Sequence, residues 1–212
     1  MSEIEETCGI YLITPEKIDD LDSFASTLGQ VLETGAVDVV QLRLKNAGDN
    51  DIIRTAEKTL AVCHKYDVPL LVNDRADIAA QVDADGVHLG QSDGNVAEAR
   101  ALLGADKDIG VTCHGSKDLA FKAGDEGANY VAFGAFFPSR TKQNAEPAEI
   151  DLLTVWDEVT EIPSVAIGGI NSENCKKIAD AGAHFVAVCA AVWDAGESPA
   201  AAAVKLRAVL DS

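Results

Sequence analysis

The sequence predicts an α/β protein built as a (β/α)8 barrel of the TIM type, a single domain over residues 1–212, and three observations carry that expectation. Short β-type runs alternate with longer segments of helical periodicity, the pattern of repeated βα units around a parallel sheet. Eight such units can be counted along the chain. Nearly every polar residue of chemical interest falls just after a strand-like run, at the rim where barrels of this type place their chemistry. An open doubly wound sheet is the alternative, but the first turn lacks a G-x-G-x-x-G.

The first unit is GIYLIT (Gly9 to Thr14) with a helix over Leu21 to Glu33, whose Leu28, Val31 and Leu32 share an apolar side. DVVQLRL (Asp38 to Leu44) precedes a helix near Asp51 to Tyr66, and PLLVN (Pro69 to Asn73) a short one near Asp77. GVHLG (Gly86 to Gly90) leads to a helix near Val96 to Leu103. DIGVT (Asp108 to Thr112) passes through Ser116, a good N-cap, to a helix near Asp118 to Glu126. YVAFG (Tyr130 to Gly134) is followed by a long loop, AFFPSRTKQNAEPAE, before a helix around Ile150 to Val159; long loops in compact domains are usually functional. PSVAIGG (Pro163 to Gly169) feeds a helix from Ser172 to Ala181, and HFVAV (His184 to Val188) a final helix near Pro199 to Leu210.

The chain has 212 residues, 47% of them hydrophobic, enough for one large core or two small domains, and no linker-like stretch divides it. No run of eighteen apolar residues and no signal-like segment is present, so a cytoplasmic protein without a membrane span is expected. Five cysteines, Cys8, Cys63, Cys113, Cys175 and Cys189, stand far apart with no C-x-x-C pair and read as reduced, mostly packed thiols. The net charge of -18 repels polyanions and argues against nucleic-acid binding. A phosphate site in so acidic a chain must be made positive locally. Composition leaves oligomeric state open.

The stretch LLVNDRADIAAQVDADGVHLGQSD ends two neighbouring strand-like runs in acids, Asp74 and Asp93, with Asn73 beside them. Two carboxylates and an amide suit Mg²⁺, which keeps most of its waters and takes further oxygens from phosphate. The other reading is that both acids cap the helices that follow. QLRLK sets Gln41, Arg43 and Lys45 at alternate positions, so on one continuous strand they share a face. Turned inward, that face implies a bound anion or paired acids; a solvated edge strand is the other reading.

GVTCHGS offers Thr112, Cys113 and His114. Adjacent residues of an extended chain point opposite ways, so Cys113 and His114 are poorly placed as a nucleophile and base, and Cys113 reads as packed. Thr112 shares the side of His114 and offers a hydroxyl to an anion. PSRTK contributes Ser139, Arg140, Thr141 and Lys142 on the long loop, in the manner of a phosphate clamp or of a merely solvated loop. IGGI at 167–170, ahead of Asn171 and Ser172, lets backbone N–H groups approach an anion at a helix N-terminus, and phosphate sites after strands seven and eight recur among barrels.

Taken in order, QLRLK, LLVNDRADIA, ADGVHLGQSD, GVTCH, YVAFGAFFPSRTK and VAIGGINSEN make the chain resemble the thiamine-phosphate synthase family over nearly its whole length. The resemblance implies a Mg²⁺-dependent transferase of thiamine biosynthesis that joins hydroxymethylpyrimidine diphosphate to thiazole phosphate and releases diphosphate. It implies that Gln41, Arg43, Lys45 and Lys142 hold the diphosphate, with Mg²⁺ on Asp74 and Asp93 and with Asn73 beside the pyrimidine. Ser139, Thr141, Gly169 and the backbone at Cys189 and Ala190 would meet the thiazole phosphate, and Lys142 and Thr112 would take the catalytic roles. Two departures stand out: Thr112 where the family usually has serine, and CAAVW after strand eight, which keeps backbone donors but removes a side-chain contact. The rival readings are a thiazole tautomerase relative of the same fold, which handles no diphosphate, and a non-catalytic phosphate-ligand binding protein.

Overall fold

Alternating side chains along each strand build two apolar layers, one inside a closed sheet and one between the sheet and its helices. The computed structural model describes residues 7–138 and 147–212; Ser139, Arg140, Thr141 and Lys142 lie outside the described residues. The strands are β1 (Gly9–Ile13), β2 (Val39–Leu42), β3 (Leu70–Asn73), β4 (Gly86–Leu89), β5 (Asp108–His114), β6 (Tyr130–Gly134), β7 (Ser164–Ile167) and β8 (Phe185–Val188). They close in sequence order into an all-parallel barrel, in which β8 pairs with β1 from Gly9↔Phe185 to Leu12↔Val188. This excludes the open sheet. Tyr11, Ile13, Leu71, Tyr130, Ala132, Val165 and Ala187 fill the interior. Their strand neighbours Ile10, Leu12, Leu70, Val72, Val131, Phe133, Val186 and Val188 face the helices in the larger outer core.

The described helices are α1 (Leu21–Glu33), α2 (Asp49–Lys65), α3 (Ala76–Gln81), α4 (Val96–Leu103), α5 (Lys117–Asp125), α6 (Asp151–Val159), α7 (Cys175–Ala179), α8 (Ala190–Trp193) and α9 (Pro199–Leu210). In α1 the buried Phe24, Leu28, Val31 and Leu32 recur at helical spacing, and Asp20 caps the start by accepting from Ser23 N. Ser116 caps α5 through Leu119 N, as its sequence suggests. Ser198 and Pro199 open α9, Ser as the cap and Pro where a missing N–H does no harm. At the opposite rim from the strand ends, Arg207 of α9 donates to Cys8 O and Ala36 O and pairs with Asp38, tying the last helix to the first two strands.

Three features depart from the sequence reading. Strand β2 stops at Leu42 rather than Leu44, because Arg43 N turns to Thr14 Oγ1 and Lys45 N to Glu16 O, which replace the ladder with the loop after β1. Helix α7 begins at Cys175 rather than Ser172, since Asn171 and Asn174 spend the intervening residues on a turn in which Asn174 Oδ1 accepts from Asn171 N. The four-residue α8 has no strong periodic signal and was not expected. It is anchored by Trp193, whose Nε1 donates to Ile13 O at 2.7 Å and whose ring packs on Phe24.

Candidate active site

The carboxyl ends of the strands surround a cavity of about 940 Å³, within the range of small-molecule sites. Gln41, Arg43, Asn73, Asp74, Asp93, Thr112, Gly169, Cys189 and Ala190 all line it, together with His88, Glu16 and Gln91. Lys45, expected to bind the ligand, is absent from its wall; it lines an adjoining groove beside α1 and α2. The shared inward face expected for Gln41, Arg43 and Lys45 therefore does not extend to Lys45, because the strand ends before it.

The floor is a hydrogen-bonded row that crosses the barrel. Gln41 Nε2 donates to Tyr11 Oη at 3.0 Å, the Tyr11 and Tyr130 hydroxyls meet at 2.8 Å, Tyr130 Oη lies 2.9 Å from His88 Nδ1, and His88 Nε2 lies 2.8 Å from Thr112 Oγ1. A run of donors from the Gln41 amide through both tyrosines to His88 satisfies all four contacts with the imidazole proton on Nε2, and the reverse run from Thr112, in which Tyr11 accepts from both Gln41 and Tyr130, satisfies them with the proton on Nδ1. Burial raises both tyrosine pKa values well above the ordinary phenol range, so the hydroxyls keep their protons. Gly110 makes room for the Tyr130 ring: a Cβ there would collide with Tyr130 Cζ.

Asp74 and Asp93 stand over Gly90, where a Cβ would strike Asp93 Oδ2 and lie 3.9 Å from Asp74 Oδ1. Neither caps a helix. The residue at the N-cap of α3 is Arg75, with no side-chain cap bond, and α4 is capped by Asn95 through Glu98 N. Asp74 also adopts a left-handed backbone, φ 65°, with its N–H on His88 O, and this geometry turns its carboxylate into the cavity beside the β4 end. Burial, and after it the neighbouring Asp93 charge, pushes the Asp74 carboxyl above the ordinary range, while Arg43 draws it down. Among the described residues no group of three or more His, Cys, Asp and Glu side chains converges as a metal cage. The two acids fit a cation that takes its remaining oxygens from water and phosphate.

Arg43 and Lys45 converge on one carboxylate. Arg43 Nη1 and Lys45 Nζ lie 2.6 and 2.7 Å from the same oxygen, Glu16 Oε1. The two cations hold the Glu16 carboxyl below its ordinary range, Lys45 chiefly, against partial burial.

On the far side, Gly168 and Gly169 take φ values of 105° and 66°, and a Cβ on Gly169 would come within 2.6 Å of Pro138 O. Cys189 opens α8 and contacts Thr14 O through its thiol, leaving backbone rather than side chain at that corner of the cavity. Thr112 and Cys113 point to opposite faces, as the alternation predicts. Cys113 is fully buried among outer-core residues, with its thiol pushed up to about 12 by burial, so it is not a nucleophile at neutral pH.

Tyr11, His88, Tyr130 and Glu16 were not singled out in the sequence. The first three sit at inward positions of otherwise apolar runs, GIYLIT, GVHLG and YVAFG, and that interruption was the available signal. Glu16 had none, because its partners lie 27 and 29 positions away on a loop whose path the sequence does not announce.

Residues 10–192 match a family model described as thiamine monophosphate synthase. The chain is 49% identical to the thiamine-phosphate synthase of Rhodospirillum centenum, covering 96% of this chain and 98% of that one. It is 47% identical to that of Erythrobacter litoralis, over 94% and 95% of the two chains. A thiamine phosphate pyrophosphorylase structure from Pyrococcus furiosus superposes with a TM-score of 0.85 at 30% identity, over 97% of this chain and 96% of that one. A 3-hexulose-6-phosphate synthase, at 22% identity and a TM-score of 0.67, shares the fold. The matching motifs, the closed barrel and the whole-length similarity place this chain in the thiamine monophosphate synthase family.

Proposed function

We propose that this chain, acting as one barrel unit, condenses hydroxymethylpyrimidine diphosphate with thiazole phosphate to give thiamine phosphate and diphosphate. The observation that carries this reading is the meeting of the Asp74–Asp93 pair with Arg43 and Gln41 around one cavity, in a chain of this family. In the reaction the bond from the pyrimidine methylene to the diphosphate oxygen breaks, and the thiazole nitrogen bonds to the methylene. The leaving group departs as an anion, so charge neutralisation matters more than a general base.

Asp74 and Asp93 would hold Mg²⁺, which when bound supplies positive charge to the departing diphosphate. Arg43, Lys45 and Lys142 would share that neutralisation, and Lys142, with Thr112 beside the reacting carbon, would act in catalysis. The Gln41 amide and the Tyr11 and Tyr130 hydroxyls of the floor are uncharged donors and acceptors, which suits the uncharged pyrimidine; Asn73 would orient it from the β3 end. Ser139, Thr141, Gly169 and the backbone at Cys189 and Ala190 would receive the thiazole phosphate. Among the described residues no helix is long and apolar enough to cross a membrane. The pairing of two acids that do not cap helices favours this reading over a tautomerase, which needs no diphosphate site.

The test is a turnover assay with both substrates, with and without Mg²⁺. Formation of thiamine phosphate and diphosphate in equal amounts, dependent on the metal, is the expected result; no product at any Mg²⁺ concentration would remove the assignment.

A further inference from the structure

We propose that Glu16 is a built-in competitor of diphosphate, a positioning residue that lowers the affinity of the site for this product and so eases its release. The inference rests on the reading above that Arg43 and Lys45 bind diphosphate. Its own basis is the geometry at Glu16. A single oxygen, Oε1, receives both Arg43 Nη1 at 2.6 Å and Lys45 Nζ at 2.7 Å, so one carboxylate occupies the donors that a diphosphate oxygen would need.

Backbone bonds fix this arrangement. Thr14 N donates to Gln41 O, Arg43 N to Thr14 Oγ1 and Lys45 N to Glu16 O, each at 3.0 Å, so the loop carrying Glu16 is stitched to the one carrying its partners. The carboxylate needs only side-chain rotation to yield the cations, and it stays within reach to take them back. Glu16 also lines both the main cavity and the groove that holds Lys45, the position from which one group can address both cations.

A site that gathers Arg43, Lys45 and a metal around a polyanion risks holding its product too firmly. An internal anion subtracts from that affinity by a fixed amount, for the departing diphosphate as well as the arriving one, and binding energy spent equally on both does not raise turnover. The alternative role is purely structural, in which Glu16 aligns Arg43 and Lys45 for the ligand. The two roles predict opposite signs.

Titration calorimetry of inorganic diphosphate in the presence of Mg²⁺, on wild type, Glu16→Gln and Arg43→Ala, separates them. Glutamine keeps the length and removes the charge; the Lys45 N–H bond goes to the Glu16 backbone and is retained. The expected result is diphosphate binding about tenfold tighter in Glu16→Gln, a matching fall in its inhibition constant as product, and weaker binding in Arg43→Ala. Glu16→Asp, too short to reach both cations at once, should fall between wild type and Glu16→Gln. Unchanged or weaker binding in Glu16→Gln, with Arg43→Ala also weakened, would overturn the competitor role and leave the diphosphate site standing. Wild-type binding in Arg43→Ala would remove the diphosphate reading of Arg43 and the inference with it.

Discussion

The hydroxyls of Tyr11 and Tyr130 meet at 2.8 Å inside the barrel, linking β1 to β6 across its interior. Tyr130 is 9% exposed and Tyr11 2%, so neither hydroxyl has ready access to water as a substitute partner. Tyr130→Phe removes the hydroxyl that contacts both Tyr11 Oη and His88 Nδ1, and should destabilise the protein by about 1–3 kcal/mol. Adding Tyr11→Phe should cost less than the sum of the two single changes, because removing both polar partners relieves the first defect. Urea denaturation of the two single variants and the double variant checks this.

Gly110→Ala is expected to be more damaging than a typical glycine substitution in a strand. Its Cβ collides with the Tyr130 ring, so Tyr130 must leave the row that orients His88. Thermal unfolding should show a midpoint several degrees lower, at about 2–4 °C per kcal/mol for a chain of this size. Activity should fall even where the variant remains folded.

Burial and the neighbouring Asp93 charge give ionised Asp74 a stability penalty. Its raised pKa means that the native state binds more protons than the unfolded state from the ordinary carboxylate range upward, so its contribution makes stability fall as pH rises through that window. Asp74→Asn removes this loss, and asparagine tolerates the left-handed backbone at this position. The variant should unfold at the same or higher temperature than wild type at pH 7 without added metal, while turnover drops on the order of 100-fold, as for loss of one electrostatic contact to a transition state. A lower melting temperature with full activity would refute both halves.

Cys113→Ala should retain activity, and folded wild type should resist alkylation at Cys113 at pH 7.5. The thiol is fully buried, and burial pushes it up to about 12. Mass spectrometry after iodoacetamide treatment reads the second point directly.

On the proposed role of Lys142, Lys142→Ala should lower kcat more than it raises KM, because a cation that serves the departing diphosphate gains value as negative charge develops. A rise in KM with kcat unchanged would place Lys142 in ground-state binding only.

The barrel was legible in the sequence because its information is local. GIYLIT, YVAFG and HFVAV alternate between two buried layers, and the capping signals at Asp20, Ser116 and Ser198 lie beside the helices they start. The acids were legible for the same reason, each standing within a few residues of a strand end. What escaped depended on contacts between distant segments. Strand β2 ends at Leu42 because of bonds to Thr14 and Glu16, some 29 positions earlier in the chain, and nothing in QLRLK reports them. The floor joins Gln41, Tyr11, Tyr130, His88 and Thr112 from five strands, so no one segment displays it.

Asp74 and Asp93 are proposed to form a cation site that diphosphate completes. Two carboxylates supply two of the about six oxygens that Mg²⁺ prefers, so the ion alone should bind weakly and the pair of ligands cooperatively. Titration calorimetry of diphosphate into wild type, Asp74→Asn and Asp93→Asn, each with and without Mg²⁺, measures this directly. Strong enhancement by Mg²⁺ in wild type and its loss in both variants is the expected result; equal diphosphate affinity in all six titrations would show that the two acids hold no cation for the ligand.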